Sequence, residues 1–209
     1  MKLSWLLYAK VRTRYDERRM NELLHVPKVV GRVNSLIDFG CSIGYLLDLF
    51  PHITEKYGVE VDEEAIRICS NKGYKVFKDL SEAPRVDCIT MVDVVEHLHP
   101  EEFIELLPKV WNHLNEGGNF FIQTYNPYCI ISIMDFWNDY THKHMWTIES
   151  LESVLRLNGF KVVKKAFIYH VNSSRIRIKI LLSLLKKFLD KKYLYTHYYI
   201  LAQKSSQNR

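Results

Sequence analysis

The chain is expected to fold as an α/β domain with one seven-stranded, mostly parallel sheet and helices on both faces. Three observations predict this. Short β-like runs alternate with helical stretches between residues 33 and 202, the pattern of repeated βα units. The 209 residues are 47% apolar, enough for one domain with a sizeable core and too few for two full-sized ones. Small-residue turns and carboxylates recur where the strands meet the following loops, the edge at which open α/β sheets bind ligands.

In chain order, residues 1–30 read as a helical cap in front of the sheet, followed by a single domain over 31–209. Strands are expected near 35–39, 57–61, 74–78, 86–92, 118–124, 160–170 and 193–202, and helices at 44–50, 62–72, 100–115 and 147–158. Asp62 and Thr147 are start signals, since their side chains accept from free amides of a first helical turn. Gly73, Gly117 and Gly159 are stop signals. Residues 125–146 form an aromatic-rich stretch of about 20 residues without a clear period, which reads as a lid or binding loop. No repeat, low-complexity tract or interdomain linker interrupts the pattern.

Charge is unevenly spread. Residues 1–32 hold 8 basic and 3 acidic side chains, 33–160 hold 9 and 20, and 161–209 hold 12 and 1. The four cysteines, Cys41, Cys69, Cys88 and Cys129, show neither zinc-type pairing nor the density of a disulfide-stapled domain, so a reduced, cytoplasmic setting is expected. No run reaches the roughly 18 apolar residues of a membrane span.

The run Leu36-Ile37-Asp38-Phe39-Gly40-Cys41-Ser42-Ile43-Gly44-Tyr45 reads as a buried strand, a tight turn and a helix start. Gly40, Ser42 and Gly44 allow backbone amides to approach a ligand closely. A dinucleotide fingerprint needs glycines at 40, 42 and 45, and Ser42 and Tyr45 argue against pyrophosphate. Asp38 suits a cationic or amine-bearing ligand instead. About 20 residues later Glu60, followed by Val61, is placed to hold ribose hydroxyls. Lys78-Asp79-Leu80 and Val92-Asp93-Val94-Val95-Glu96-His97 complete four motifs at one sheet edge.

Taken together, DFGCSIG, GVEVDEEA, KDL, DCITMVDVVEHLHP, LNEGGNFFIQTYNP and HKHMWTIESLESVLRLNGF resemble the class I S-adenosylmethionine-dependent methyltransferases. Within them the chain looks most like the branch containing the ubiquinone-biosynthesis O-methyltransferases and many small-molecule methyltransferases. The likeness covers roughly residues 30–170. It departs from the family where Ser42 replaces the central turn glycine, where Glu60 replaces the commoner Asp, and in the C-terminal segment.

The resemblance implies a Rossmann-like sheet whose last strand is antiparallel, and S-adenosylmethionine as cofactor, with S-adenosylhomocysteine as product. It implies that Gly40, Cys41, Ser42 and Gly44 lie against the methionine and ribose portions, with Asp38 near the amino group and Glu60 on the ribose. Asp79 would meet the adenine amino group with Leu80 beside the ring, Val92 and Asp93 would line the pocket, and Glu96-His97 would stand near the transferred methyl. A neutral His is a suitable base for an oxygen or nitrogen acceptor. The candidates are His97, which directly follows the fourth strand, then His142 and His144, and His99. Packing against Trp137 and Trp146 is the alternative for His142 and His144. No metal is expected: although Glu96 and His97, or His142-x-His144, offer ligand atoms, neither cysteines nor a further carboxylate stand at ligand spacing.

A basic insertion over 171–192 contains Arg175 to Leu189, which combines dense aliphatics with cations and alternates them strictly from Arg175 to Ile180. It suits a packed insertion with a solvated cationic face, or peripheral contact with a membrane and a lipid-linked acceptor. No nucleic-acid-binding module accompanies the charge. The activity expected is methyl transfer to an oxygen or nitrogen of a small or lipid-linked acceptor. The alternative is a non-catalytic, cofactor-binding partner of another enzyme.

Overall fold

The computed structural model describes residues 19–168 and 190–205. A helical stretch at 19–23 and α1 (Val26–Val30) precede the sheet. Most of the expected N-terminal cap, and residues 171–189 of the basic insertion, lie outside the described residues.

Seven strands follow: β1 (Ser35–Phe39), β2 (Glu55–Val59), β3 (Lys75–Phe77), β4 (Val86–Val92), β5 (Leu114–Tyr125), β6 (Phe160–Ile168) and β7 (His197–Lys204). Between them come α2 (Tyr45–Asp48), α3 (Glu63–Asn71), α4 (Pro100–His113), α5 (Ile130–Trp137) and α6 (Ile148–Leu157). The sheet order is β3-β2-β1-β4-β5-β7-β6, with β7 antiparallel to both its neighbours and the other pairings parallel. The expected mixed sheet with an antiparallel last strand is therefore present.

Helices on both faces demand strands that are apolar on both sides, and consecutive residues do point to opposite cores. Ile37, Ile89, Phe120 and Tyr198 pack on one face with Phe103, Leu107 and Leu151 from α4 and α6. Their neighbours Leu36, Cys88, Phe121 and Tyr199 pack on the other with Leu23, Val26, Leu47 and Cys69. Outer strand β6 carries Lys161, Lys164 and Lys165, charges that discourage pairing with another sheet.

The cap signals operate as expected: Asp62 accepts from the Ala65 amide and Thr147 from the Ser150 amide. Four boundaries differ. β5 begins at Leu114 rather than near 118, because Leu114 pairs with Val86 ahead of an irregularity in the ladder, so Gly117 lies within the strand instead of ending α4. β2 runs over 55–59 rather than 57–61, because the Val59 carbonyl turns to the Gly40 and Cys41 amides and ends the ladder. The last strand begins at His197 rather than near 193, since Lys191–Tyr193 form a 3₁₀ turn. Within 125–146, where no period was legible, α5 forms; it buries Ser132 and leaves Ile130, Met134 and Trp137 exposed, so polarity does not mark its inner face.

Candidate active site

The turn after β1 is held to the end of β2. Gly40 and Cys41 donate their amides to the Val59 carbonyl at 2.8 and 3.2 Å. Gly40, Ser42 and Gly44 have φ of 78°, 48° and 82°, all left-handed, so Ser42 occupies a conformation that glycine adopts more easily. A Cβ on Gly40 would lie 2.4 Å from Val94 Cγ2, which leaves no space for a side chain. Cys41 is buried against Gly58, where an added Cβ would come within 2.4 Å of its Sγ; its side chain packs the turn onto β2.

Glu60 clasps this turn to the next loop. Its Oε2 accepts from the Ser42 amide at 2.9 Å, and its Oε1 accepts from Val61 and Asp62 at 2.7 and 3.0 Å. Three amide donors orient a carboxylate that has about four acceptor positions, so one remains for a ligand hydroxyl. The Val61 side chain is 79% exposed and so open to a ligand beside Glu60.

Asp38, at the end of β1, is buried and accepts from Thr90 Oγ1 at 2.8 Å. Burial pushes its carboxyl up to about 7, against the opposing pull of the Thr90 hydroxyl and the Arg19 charge. Such a group gains its charge readily when an ammonium is placed beside it. Asp79 is exposed and accepts from the Ser81 amide at 2.8 Å, which holds its carboxyl below the usual range. Leu80 is 1% exposed and belongs to the core, where it anchors the 3₁₀ turn Leu80–Glu82. Val92, also buried, closes β4.

The second half of the site starts at Asp93, a non-glycine residue with φ of 54°. Arg19 Nη1 lies 2.6 Å from its Oδ2, and Gln123 Nε2 lies 3.3 Å from its Oδ1. The ion pair joins the helical stretch at 19–23 to the end of β4. Glu96 is fully buried; its Oε2 accepts from Thr124 Oγ1 at 2.9 Å, and its Oε1 has no hydrogen-bond partner. Burial, then the nearby Asp93 charge, push its carboxyl well above the usual carboxylate range. Its peptide carbonyl receives the Lys143 and His144 amides at 2.8 and 3.2 Å, which pins the segment after α5 to the loop after β4.

That pinning brings His142 to His97, with ring centroids 4.6 Å apart. The hydrogen bonds fix both tautomers. Thr141 gives its hydroxyl proton to Asp139 Oδ1 at 2.6 Å, so at 2.9 Å from His97 Nδ1 it accepts, and His97 donates. His142 Nδ1 lies 2.7 Å from the Phe136 carbonyl, which only accepts. Both rings therefore present an Nε2 lone pair. Burial and the neighbouring His142 lower the His97 pKa and keep it neutral near pH 7.

The other two candidates are elsewhere. His144 packs edge-on against buried Trp146, with centroids 4.6 Å apart, and His99 is the N-cap of α4. Arg19, Thr124, Asp139 and Thr141 were not legible as site residues. They act on partners up to 74 positions away, and no local motif marks such pairings.

A turn left-handed at Gly40, Ser42 and Gly44, an oriented acid one strand over and a buried acid at the end of β1 fit the methionine, ribose and amino groups of S-adenosylmethionine. A family model described as "Methyltransferase domain" matches residues 9–165. An S-adenosylmethionine-dependent methyltransferase from Archaeoglobus fulgidus is 25% identical over 90% of this chain and 94% of that one, with a TM-score of 0.74. A second, from Thermotoga maritima, is 16% identical over 96% of each chain, with a TM-score of 0.69. The magnesium protoporphyrin IX methyltransferase of Synechocystis PCC 6803, solved with bound S-adenosylhomocysteine, is 13% identical over 92% of this chain and 85% of that one, with a TM-score of 0.63. No curated protein sequence matches the chain. The chain belongs to the class I methyltransferases that use S-adenosylmethionine.

Proposed function

We propose that the protein methylates an oxygen or nitrogen of a small or lipid-linked acceptor, as the small-molecule O-methyltransferase branch does. The observation that carries this reading is the pair of imidazoles at the strand edge, His97 and His142, each with Nδ1 committed to an oxygen and Nε2 left available. Bound S-adenosylmethionine supplies an electrophilic methyl on a sulfonium. The turn from Gly40 to Gly44 cradles it, Glu60 holds its ribose, and Asp38 faces its ammonium.

His97 takes the proton of the acceptor hydroxyl or amine, and His142 and Tyr125 close the wall beside it; the Tyr125 and His142 centroids are 5.2 Å apart. Alignment of the two reactants supplies most of the acceleration, since the displacement needs little other than in-line geometry. An acceptor with an apolar chain is supported by the exposed face of α5. Ile130, Met134 and Trp137, spaced by four and three residues, are 67%, 64% and 71% exposed. No helix among the described residues is long and apolar enough to cross a membrane.

The test is S-adenosylhomocysteine formation with hydroxylated aromatics and amines, each offered with and without an apolar chain. Turnover favouring a chain-bearing acceptor, reduced about 10²-fold or more in His97→Asn with cofactor affinity retained, is expected for loss of a general base. Tight cofactor binding with no turnover across the panel would instead make the protein a cofactor-binding partner of another enzyme.

A further inference from the structure

We infer that Glu96, His97 and His142 form a binding site for a divalent first-row transition cation. A carboxylate oxygen of Glu96 and one ring nitrogen from each histidine all lie within 4.8 Å of one another, and among the described residues this is the group of three metal-ligating side chains so arranged. The inference rests on the methyl-transfer reading for its chemical purpose, though not for its test.

Two observations beyond proximity point to a ligand. Glu96 is fully buried, its Oε2 is taken by Thr124, and its Oε1 has no hydrogen-bond partner, whereas buried polar atoms nearly always have one. Both histidines also carry the outer support typical of metal-bound imidazoles, in which one ring N–H donates to an oxygen and the other nitrogen is left as the ligand. For His142 the oxygen is the Phe136 carbonyl at 2.7 Å, and for His97 it is Thr141 Oγ1 at 2.9 Å, itself anchored on Asp139.

Two imidazoles and one carboxylate suit Zn²⁺, Co²⁺, Mn²⁺ or Fe²⁺ better than Mg²⁺ or Ca²⁺, which prefer all-oxygen sites. Ligand atoms around a tetrahedral ion stand about 3.4 Å apart, so the trio draws inward on binding. The two amide bonds from 143 and 144 to the Glu96 carbonyl keep the histidines close enough for this. Three protein ligands leave a position for an acceptor oxygen, whose proton a cation makes easier to lose. In the loaded protein that proton goes to water, and the His97 Nε2 serves as a ligand rather than as the base.

The experiment titrates chelator-stripped full-length protein with Co²⁺, followed by its visible absorption bands, and with Zn²⁺ by calorimetry, using Mg²⁺ as control. Saturable one-to-one binding of Co²⁺ and Zn²⁺, with Mg²⁺ silent, is expected. His142→Ala should weaken it at least about tenfold, as should Glu96→Gln. No saturable binding, or binding unchanged in His142→Ala, overturns the inference, and His142→Ala decides the matter if Glu96→Gln does not fold. Cofactor turnover in protein that binds no Co²⁺ removes the cation and leaves the function. Co²⁺ binding lost in His142→Ala, without turnover of any acceptor, keeps the cation and removes the function.

Discussion

The two halves of the site are built by opposite means. The half proposed to hold the cofactor is made of backbone: three left-handed residues within five positions, amides bonded to the end of β2 and to Glu60, and that one acid from the adjacent strand end. The half proposed to meet the acceptor is made of side chains from four separate stretches, near 19, 93–97, 123–125 and 136–144, joined by hydrogen bonds across the chain. A surface made of backbone tolerates little change in conformation and little change in cargo. A surface made of side chains can be rewritten one residue at a time, which is how one scaffold serves many acceptors.

The largest effect should come from challenging the backbone half. Gly40→Ala places a Cβ into Val94 and onto a left-handed backbone, so S-adenosylmethionine affinity should drop by about 10²-fold or more, with Tm lowered, in calorimetric titration and thermal melts. If affinity survives, the cradle is not where the cofactor lies.

Asp38→Asn comes next, and its signature is a pH dependence. The folded carboxyl titrates near 7 and the unfolded one near 3.8, so the wild-type folded state retains a proton that the unfolded state has lost. Wild-type stability therefore declines as pH rises across that window, by an amount on the order of a few kcal/mol. Asn stays neutral, so the cofactor-free variant should melt close to wild type near pH 4 and above it at pH 8. Cofactor affinity should move oppositely: it should tighten with pH through about 7 in wild type, where the ammonium meets a charged partner, and stay flat in Asp38→Asn.

The smallest effect belongs to the side-chain half. Thr141→Val removes the acceptor that holds His97 Nδ1, so kcat should fall about three- to tenfold while the dissociation constant for S-adenosylmethionine stays unchanged. Thr141→Ser should restore it. A matching loss of cofactor affinity would mean that the two halves are not separable in the way their construction suggests.

This division also explains what could be read from the chain. Gly40, Gly44 and Glu60 announce themselves because a tight turn and a carboxylate one strand later are properties of local sequence. The strands, and the caps at Asp62 and Thr147, were legible for the same reason. The burial of Leu80 and the exposure of Val61 were not, because whether a residue beside a motif faces the core or water depends on packing. His97 stood out by following a strand, yet its companion could have been His142 or His144. The choice is made by hydrogen bonds to Glu96, Phe136 and Thr141, and no spacing rule contains them.

The antiparallel course of β7 has one further result. Because Ile168 of β6 and Tyr125 of β5 both pair with His197, β6 ends and β7 begins at the sheet edge where β5 ends. Paired backbone from three strands therefore frames the flank of the proposed acceptor half, a rigid border within which its side chains can change without disturbing the Gly40 turn.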